Sequence, residues 1–292
     1  MDFKKDLSEI LKNDMSSKGI SFDTGWDDYT ICLNYVELTK RWFDSSIPYK
    51  VVYSKELLAK LPLLTQQEQE AIKDIEKRLG KCQSITGYMS KLITKTEMKK
   101  SDFFLKNWDI YHLHLEKLSS VKHNFTMPNL MFFQPKGNII HFIDVRKHPK
   151  GSEWFVRDLL EIIYNNWPWL LRFLNGIKSV EEISNEDMYS LSKHAVAAIN
   201  FHGKVLMPTN VGVATSGHSS LSVRKADDIF NNLKAYEDWL KSNEKEIRES
   251  IYNQTKRKTT NQLDYELLIE NDCFIAYEKN TQSKIELFKC TL

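Results

Sequence analysis

Two apolar runs, Leu130-Met131-Phe132-Phe133 and Ile139 to Val145, flank Pro135-Lys136-Gly137-Asn138 near the middle of the chain. Aromatic and β-branched residues favour extended backbone, and Pro and Gly punctuate a reversal, so the pattern predicts a β-hairpin. Ile110 to Leu115 alternates in the manner of a further strand, and Tyr49 to Tyr53 reads as a short one. The chain ends in a predicted β-meander, Tyr265–Ile269, Cys273–Tyr277 and Lys284–Phe288.

Helical patterns surround these strands. Thr65-Gln66-Gln67-Glu68 is a capping box with Leu64 as its staple, Ile72, Ile75 and Leu79 follow at helical spacing, and Gly80 sits where a C′ glycine belongs. Trp154 to Leu174 is strongly apolar with a break at Pro168. Asn185 to Asn200 follows Ser184 as a cap, and a long amphipathic helix carries Leu221, Ala226, Ile229, Phe230, Leu233, Tyr236 and Leu240. The first sixty residues offer only short apolar stretches between turn signals. Residues 86–100 read as a connection ending in the basic run Lys95 to Lys100, and Asn253 to Gln262 as a polar linker. The expectation is an α+β fold, an antiparallel sheet with hairpins packed against several amphipathic helices. Its expected parts are a mixed helical region over 1–100, a central sheet with helices over 101–252, and the meander over 253–292 packed on the same domain.

The 41 Lys and Arg nearly cancel 39 Asp and Glu, leaving +2 over 292 residues. Whole-chain charge therefore calls for neither nucleic acid nor a membrane surface, although Lys256-Arg257-Lys258 is a local basic patch. No run reaches the roughly 20 apolar residues of a membrane span. Cys32, Cys82, Cys273 and Cys290 show no C-x-x-C spacing and read as reduced thiols, so the expected setting is the cytoplasm.

Three constellations could carry chemistry. On a strand, His112 and His114 project to one side with Glu116, while Leu113 and Leu115 face a core. The pair could hold a metal, exchange protons near neutral pH, or simply be hydrogen-bonded on a sheet face. Next, Asp144, Arg146 and His148 line one strand face and would extend the row of Ile140 and Phe142, with His141 on the other face as a structural residue. An acid, a guanidinium and an imidazole there suit phosphate-ester chemistry, and equally a plain Asp144–Arg146 ion pair beside a solvated His148. Last, the loop Pro208 to Ser220 places Thr215, Ser216, Gly217, His218, Ser219 and Ser220 before a helix, where hydroxyls and backbone N–H groups could take a phosphate. A helix cap and flexible connection is the plainer reading of that loop. Gly is scarce elsewhere, ten in all, and neither a Walker loop nor a nucleophile elbow occurs.

From His114-Leu115 through Leu130–Phe133, the Pro135–Asn138 turn and Ile139–Val145 to His148, the chain resembles the C-terminal half of the RelE/YafQ-type ribonuclease toxins, which cut mRNA without a metal. The resemblance covers about a seventh of the sequence. Where that family carries an Arg before the first of these strands, this chain offers Lys122 and His123. It implies that His148 is the terminal catalytic histidine and His112 or His114 an upstream one. The leading expectation is thus a metal-independent endoribonuclease with no cofactor. One of His112 and His114 would be the base, His148 the acid, and Arg146 the phosphate clamp. Asp144 and Glu116 would support them, and the Thr215–Ser220 loop would be a further phosphate contact. The alternatives are a divalent-metal hydrolase using His112, His114 and Asp144 or His148, and a non-catalytic binding protein of phage defence or anti-defence. RNA or a protein is the expected partner, and a membrane is not.

Overall fold

A computed structural model gives an α+β fold; it describes residues 1–41, 47–90, 103–116, 127–148, 156–178, 184–187, 198–209, 212–257, 259, 262–290 and 292. Its described elements divide into two units, one drawn from Met1–Thr39 and Ser222–Leu292, the other from the described residues between 40 and 221. The two ends of the chain thus belong together, a division that cuts across the first two expected segments and leaves 253–292 whole. No described helix is long and apolar enough to cross a membrane.

In the first unit, α1 (Phe3–Ser17) starts at Asp2, whose carboxylate accepts the Lys5 N–H, and buries Phe3, Leu7, Leu11 and Met15 at i, i+4 spacing. It packs against α2 (Asp28–Thr39). Neither helix was anticipated, because the polar residues between those four apolar positions hide the stripe. The predicted meander is present as β8 (Tyr265–Glu270), β9 (Cys273–Glu278) and β10 (Ser283–Lys289), with β9 central. Asn271 and Asp272, both at positive φ, form the tight turn between β8 and β9. The expected long helix is α7 (Ser220–Ser242), followed by α8 (Glu244–Thr255), which takes the first residues of the expected linker.

The second unit is built on a four-stranded sheet in the order β1 (Lys50–Tyr53), β4 (Ile139–Lys147), β3 (Asn129–Lys136), β2 (Tyr111–His114). The predicted hairpin is β3–β4, and its turn is tighter than expected: Pro135 pairs with Ile140 inside the ladder, leaving only Gly137 and Asn138 to reverse the chain. Gly137 has φ +58°, which a side chain would resist at that first turn position. β1 runs parallel to β4, so one connection is a crossover and not a hairpin.

One face of this sheet presents Leu113, Leu115, Met131, Phe133, Ile140, Phe142 and Val145 to Leu57 of α3 (Lys55–Lys60) and to Ala71, Ile72, Ile75 and Leu79 of α4 (Gln66–Gly80). The capping box of α4 is complete in both directions. Its end differs from expectation: Gly80 is still helical, and the left-handed position falls on Cys82 (φ 54°), where the Gln83 N–H reaches back to the Arg78 carbonyl. The other face carries Leu130, Phe132 and Ile143. These meet α5 (Phe103–Trp108), α6 (Val156–Asn166) and a small sheet of β5 (Arg172–Lys178), β7 (Lys204–Met207) and β6 (Ile199–Phe201).

Two expected helices are shorter than read. Pro168 ends the apolar one, and Arg172 to Leu174 are strand, because their side chains complete the small sheet over α6. Trp154 lies outside the described residues. Ser184 does cap, accepting the Asp187 N–H at 3.1 Å, but residues 188–197 lie outside the described set and Asn200 is in β6. Residues 91–100, Lys122, His123 and Lys258 also lie outside it.

Candidate functional site

The site begins with a turn. Helix α5 ends with Asp109 at φ 53°, and the Ile110 N–H returns to the Phe104 carbonyl at 3.2 Å. Asp tolerates this left-handed backbone better than a β-branched residue, and the chain leaves in the direction of β2. On β2, Leu113 is buried in the apolar face, so His112 and His114 point to the opposite face.

The decisive local feature is a bulge in β4. Phe133 pairs with Phe142 and Phe132 pairs with Asp144, so Ile143 has no partner across the ladder. It sits where β1 ends. The buried Ser54 caps α3 by accepting the Leu57 N–H at 2.9 Å, and its hydroxyl donates to the Ile143 carbonyl at 2.6 Å. One extra residue reverses the alternation beyond it. The expectation that Asp144 and Arg146 continue the row of Ile140 and Phe142 is therefore corrected. Asp144 stands across from Phe132 and Arg146 across from Leu130, on the face that carries His141 and Ile143.

The bulge thereby puts the two constellations on one side. His112, Phe132 and Asp144 form one cross-strand row, and His114, Leu130 and Arg146 form the next. The three histidine rings converge: His112 and His114 have centroids 6.3 Å apart, and His114 and His148 lie 6.4 Å apart and nearly parallel. His148 is exposed, His112 half-buried and His114 only 9% exposed. Burial, and then the neighbouring His112 and His148, push the His114 proton affinity down to about 4, while Glu116 acts weakly in the other direction. His114 is thus a neutral imidazole at neutral pH. Glu116, also buried, accepts the Met127 N–H at 3.2 Å.

Arg146 shares the face but is committed elsewhere. Its guanidinium donates to Asp144 at 2.7 Å and to Asp158 at 2.8 Å. Asp144, 1% exposed, also takes the Lys60 ammonium at 2.6 Å and the Val145 N–H. This is a closed ion network that locks the strand end, with the guanidinium turned toward carboxylates. Lys60 and Asp158 come from α3 and α6, and no spacing in the sequence announces them. His141 is structural as expected: its Nδ1 is 3.2 Å from the Gln134 carbonyl, its ring is T-shaped on Trp167, and burial lowers its proton affinity.

The third constellation is a closed turn. Val213 bridges Ser219, and the N–H groups of Ala214, Gly217 and Ser220 donate to the carbonyls of His218, Ala214 and Gly212. Those donors are spent inside the turn. Asn210 and Val211 lie outside the described residues. Thr215 and Ser216 are exposed, and His218 is buried with Nδ1 3.2 Å from the Ser216 hydroxyl. Two lysines that sequence reasoning missed hold the turn: Lys106 of α5 donates to the Gly217 carbonyl at 2.6 Å, and Lys40 to the Ser219 hydroxyl at 3.1 Å. The Tyr111 hydroxyl at the start of β2 donates to the Lys40 carbonyl, so turn and histidine strand share an anchor.

Among the described residues, no group of three or more His, Cys, Asp or Glu side chains has the arrangement of a metal site. What the arrangement offers is proton exchange between imidazoles of unequal exposure, beside a neutral one. Comparison with protein families, with curated proteins and with solved structures found no match for this chain.

Proposed function

We propose that the chain is a metal-independent ribonuclease whose centre is the His112–His114–His148 cluster. The observation that carries this reading is the convergence of three imidazoles, two on β2 and one just past the end of β4, strands that are not neighbours in the sheet, with successive centroids 6.3 and 6.4 Å apart. In the proposed step one imidazole removes the proton of a ribose 2′-hydroxyl, and that oxygen attacks the adjacent phosphorus. The P–O5′ bond breaks and the departing oxygen takes a proton from a second, protonated imidazole. A 2′,3′-cyclic phosphate and a free 5′-hydroxyl result, with no net change in protons on the protein.

His148, the exposed ring, suits the acid that meets the leaving oxygen. His114 has too low a proton affinity to be an efficient base at neutral pH, which passes the base role to His112 and leaves His114 as the neutral ring between them. Arg146 is not assigned the phosphate here, because Asp144 and Asp158 already occupy its guanidinium. The exposed hydroxyls of Thr215 and Ser216 remain as candidate phosphate contacts, since Lys40 and Lys106 are bonded to Ser219 and to the Gly217 carbonyl.

The test is incubation of the full chain with end-labelled RNA in chelator. Cleavage leaving cyclic phosphate ends, and its loss in His112→Ala and in His148→Ala with the fold kept, is the expected result. Cleavage that needs added divalent ion would replace this reading with a metal hydrolase. Activity surviving both substitutions would remove the cluster from the chemistry altogether.

A further inference from the structure

Away from the histidine cluster, a second group of rings and charges gathers where the β6–β7 hairpin meets α6, within the same unit. His202 and Gly203 make the two-residue turn of that hairpin, both at positive φ, 52° and 67°. Such turns favour Asn-Gly or Asp-Gly, so a histidine at the first position is an uncommon choice. Its side chain is nonetheless fixed. The ring stacks on Tyr164 of α6 at 4.6 Å and 18°, and its Nε2–H donates to Glu161 at 2.7 Å. Tyr164 is held in turn by edge contacts to Phe173 of β5 and Phe201 of β6. The His202 side chain is still 40% exposed. An ordered, open ring on a strained backbone is a feature that ligand sites use.

Two cations frame these rings. The Arg157 guanidinium lies 5.2 Å from the Phe201 centroid, and the Lys204 ammonium 5.6 Å from that of Phe173. Lys204 is exposed, and no carboxylate among the described residues pairs with it. Glu161, the acid of the group, is engaged by His202 and lies 3.5 Å from Arg157. Open rings rimmed by cations suit a ligand with flat, stackable parts and a negative backbone. A bare phosphate would leave the rings unused, and a duplex hides its base faces. Helix α6 also sets the distance to the proposed centre. Asp158 bonds Arg146, in the row of His114, and Tyr164 is six residues on, about 9 Å along the axis.

We infer that this surface binds single-stranded RNA, a base stacking on the Tyr164–His202 pair while Lys204 and Arg157 face the phosphates. The choice of RNA rests on the ribonuclease reading of the histidine cluster; the stacking and the charges do not.

The probe is a short fluorescein-labelled strand of 2′-O-methyluridine, whose blocked 2′-oxygen keeps binding separate from cleavage, followed by fluorescence anisotropy on the full chain. It should bind, and more weakly as salt is raised. His202→Asn installs a favoured turn residue and removes the ring, so the Tm should hold while Kd rises about tenfold, the effect of losing one stacked base. Lys204→Gln should raise Kd about threefold and lessen the salt dependence. The probe annealed to its complement should bind less well. No binding by the parent chain, an unchanged Kd in either variant, or equal affinity for the duplex overturns the inference. If His202→Asn lowers the Tm, Lys204→Gln alone decides. Cleavage of RNA without binding of the probe would sink this surface and spare the histidine chemistry; binding without cleavage would do the reverse.

Discussion

The two faces of the central sheet come from the same four strands and differ in kind. One presents Leu113, Leu115, Met131, Phe133, Ile140, Phe142 and Val145 to α3 and α4 with no polar side chain among them. The other mixes Leu130, Phe132 and Ile143 with His112, His114, Gln134, His141 and Asp144, all but the first of these polar groups buried. Apolar area alone holds the first face. The second keeps charges and imidazoles at depth only because an ion network and a bulge hold them in place. A sheet with strict alternation would have buried Asp144 beside Phe142, and the bulge at Ile143 carries it with Arg146 to the side of α6, where Asp158 joins the network that Lys60 closes.

The largest effect should come from breaking that network. Asp144→Ala leaves Lys60 and Arg146 without the carboxylate they share, and about 3–5 kcal/mol of stability should disappear in denaturant unfolding. A loss under 1 kcal/mol would mean, by the usual standard of exposed pairs, that the network is ornamental. On the opposite face Phe142→Ala opens a cavity among Tyr53 and Phe133 and should cost about 3–5 kcal/mol. Its signature differs from that of Asp144→Ala: the loss should not vary with pH, and the histidine ring contacts should survive.

A pH effect distinguishes the faces next. The His114 proton affinity falls from 6.5 in the unfolded chain to about 4 in the fold. The unfolded state therefore binds a proton that the native state refuses between those values, and stability falls as pH drops from 6.5 to 4. The full loss is about 3 kcal/mol, already complete below pH 4 and absent above 6.5. His114→Gln should flatten that part of the stability profile, and an unchanged slope would show that His114 is not the residue responsible. The smallest effect belongs to Ser54, which joins the two faces at the bulge. Ser54→Ala removes a helix cap and the bond to the Ile143 carbonyl, and should cost about 1–2 kcal/mol in the same assay.

Local signals in the sequence were read correctly where they act over a few residues. The capping box at Thr65, the Gly137 turn, the alternation around His112 and the terminal meander all depend on neighbours along the chain. The α+β fold follows from them. The parallel pairing of β1 with β4 and the joining of the chain ends into one unit depend on distant partners, and no local pattern encodes those. The candidate site was partly legible. His112, His114 and His148 do meet, but the route through the bulge was not foreseen, nor was Arg146 turned toward Asp158. A clue was present in Ile143-Asp144-Val145: continuing the alternation would have set a carboxylate in an apolar row, and that conflict is what a bulge resolves. The lysines at positions 40, 60 and 106 left no such clue, since a lysine in a sequence looks alike whether it is solvated or pinned.

The most direct test of the gathered histidine face is a pH titration of the ring nitrogens by two-dimensional NMR on the ¹⁵N-labelled chain. His114 should remain neutral from pH 7 down to about 5 and take its proton near 4, and His148→Ala should raise that midpoint by removing a neighbouring cation. A His114 ring that titrates near 6.5, or one indifferent to the loss of His148, would contradict the buried, three-ring cluster on which the account rests.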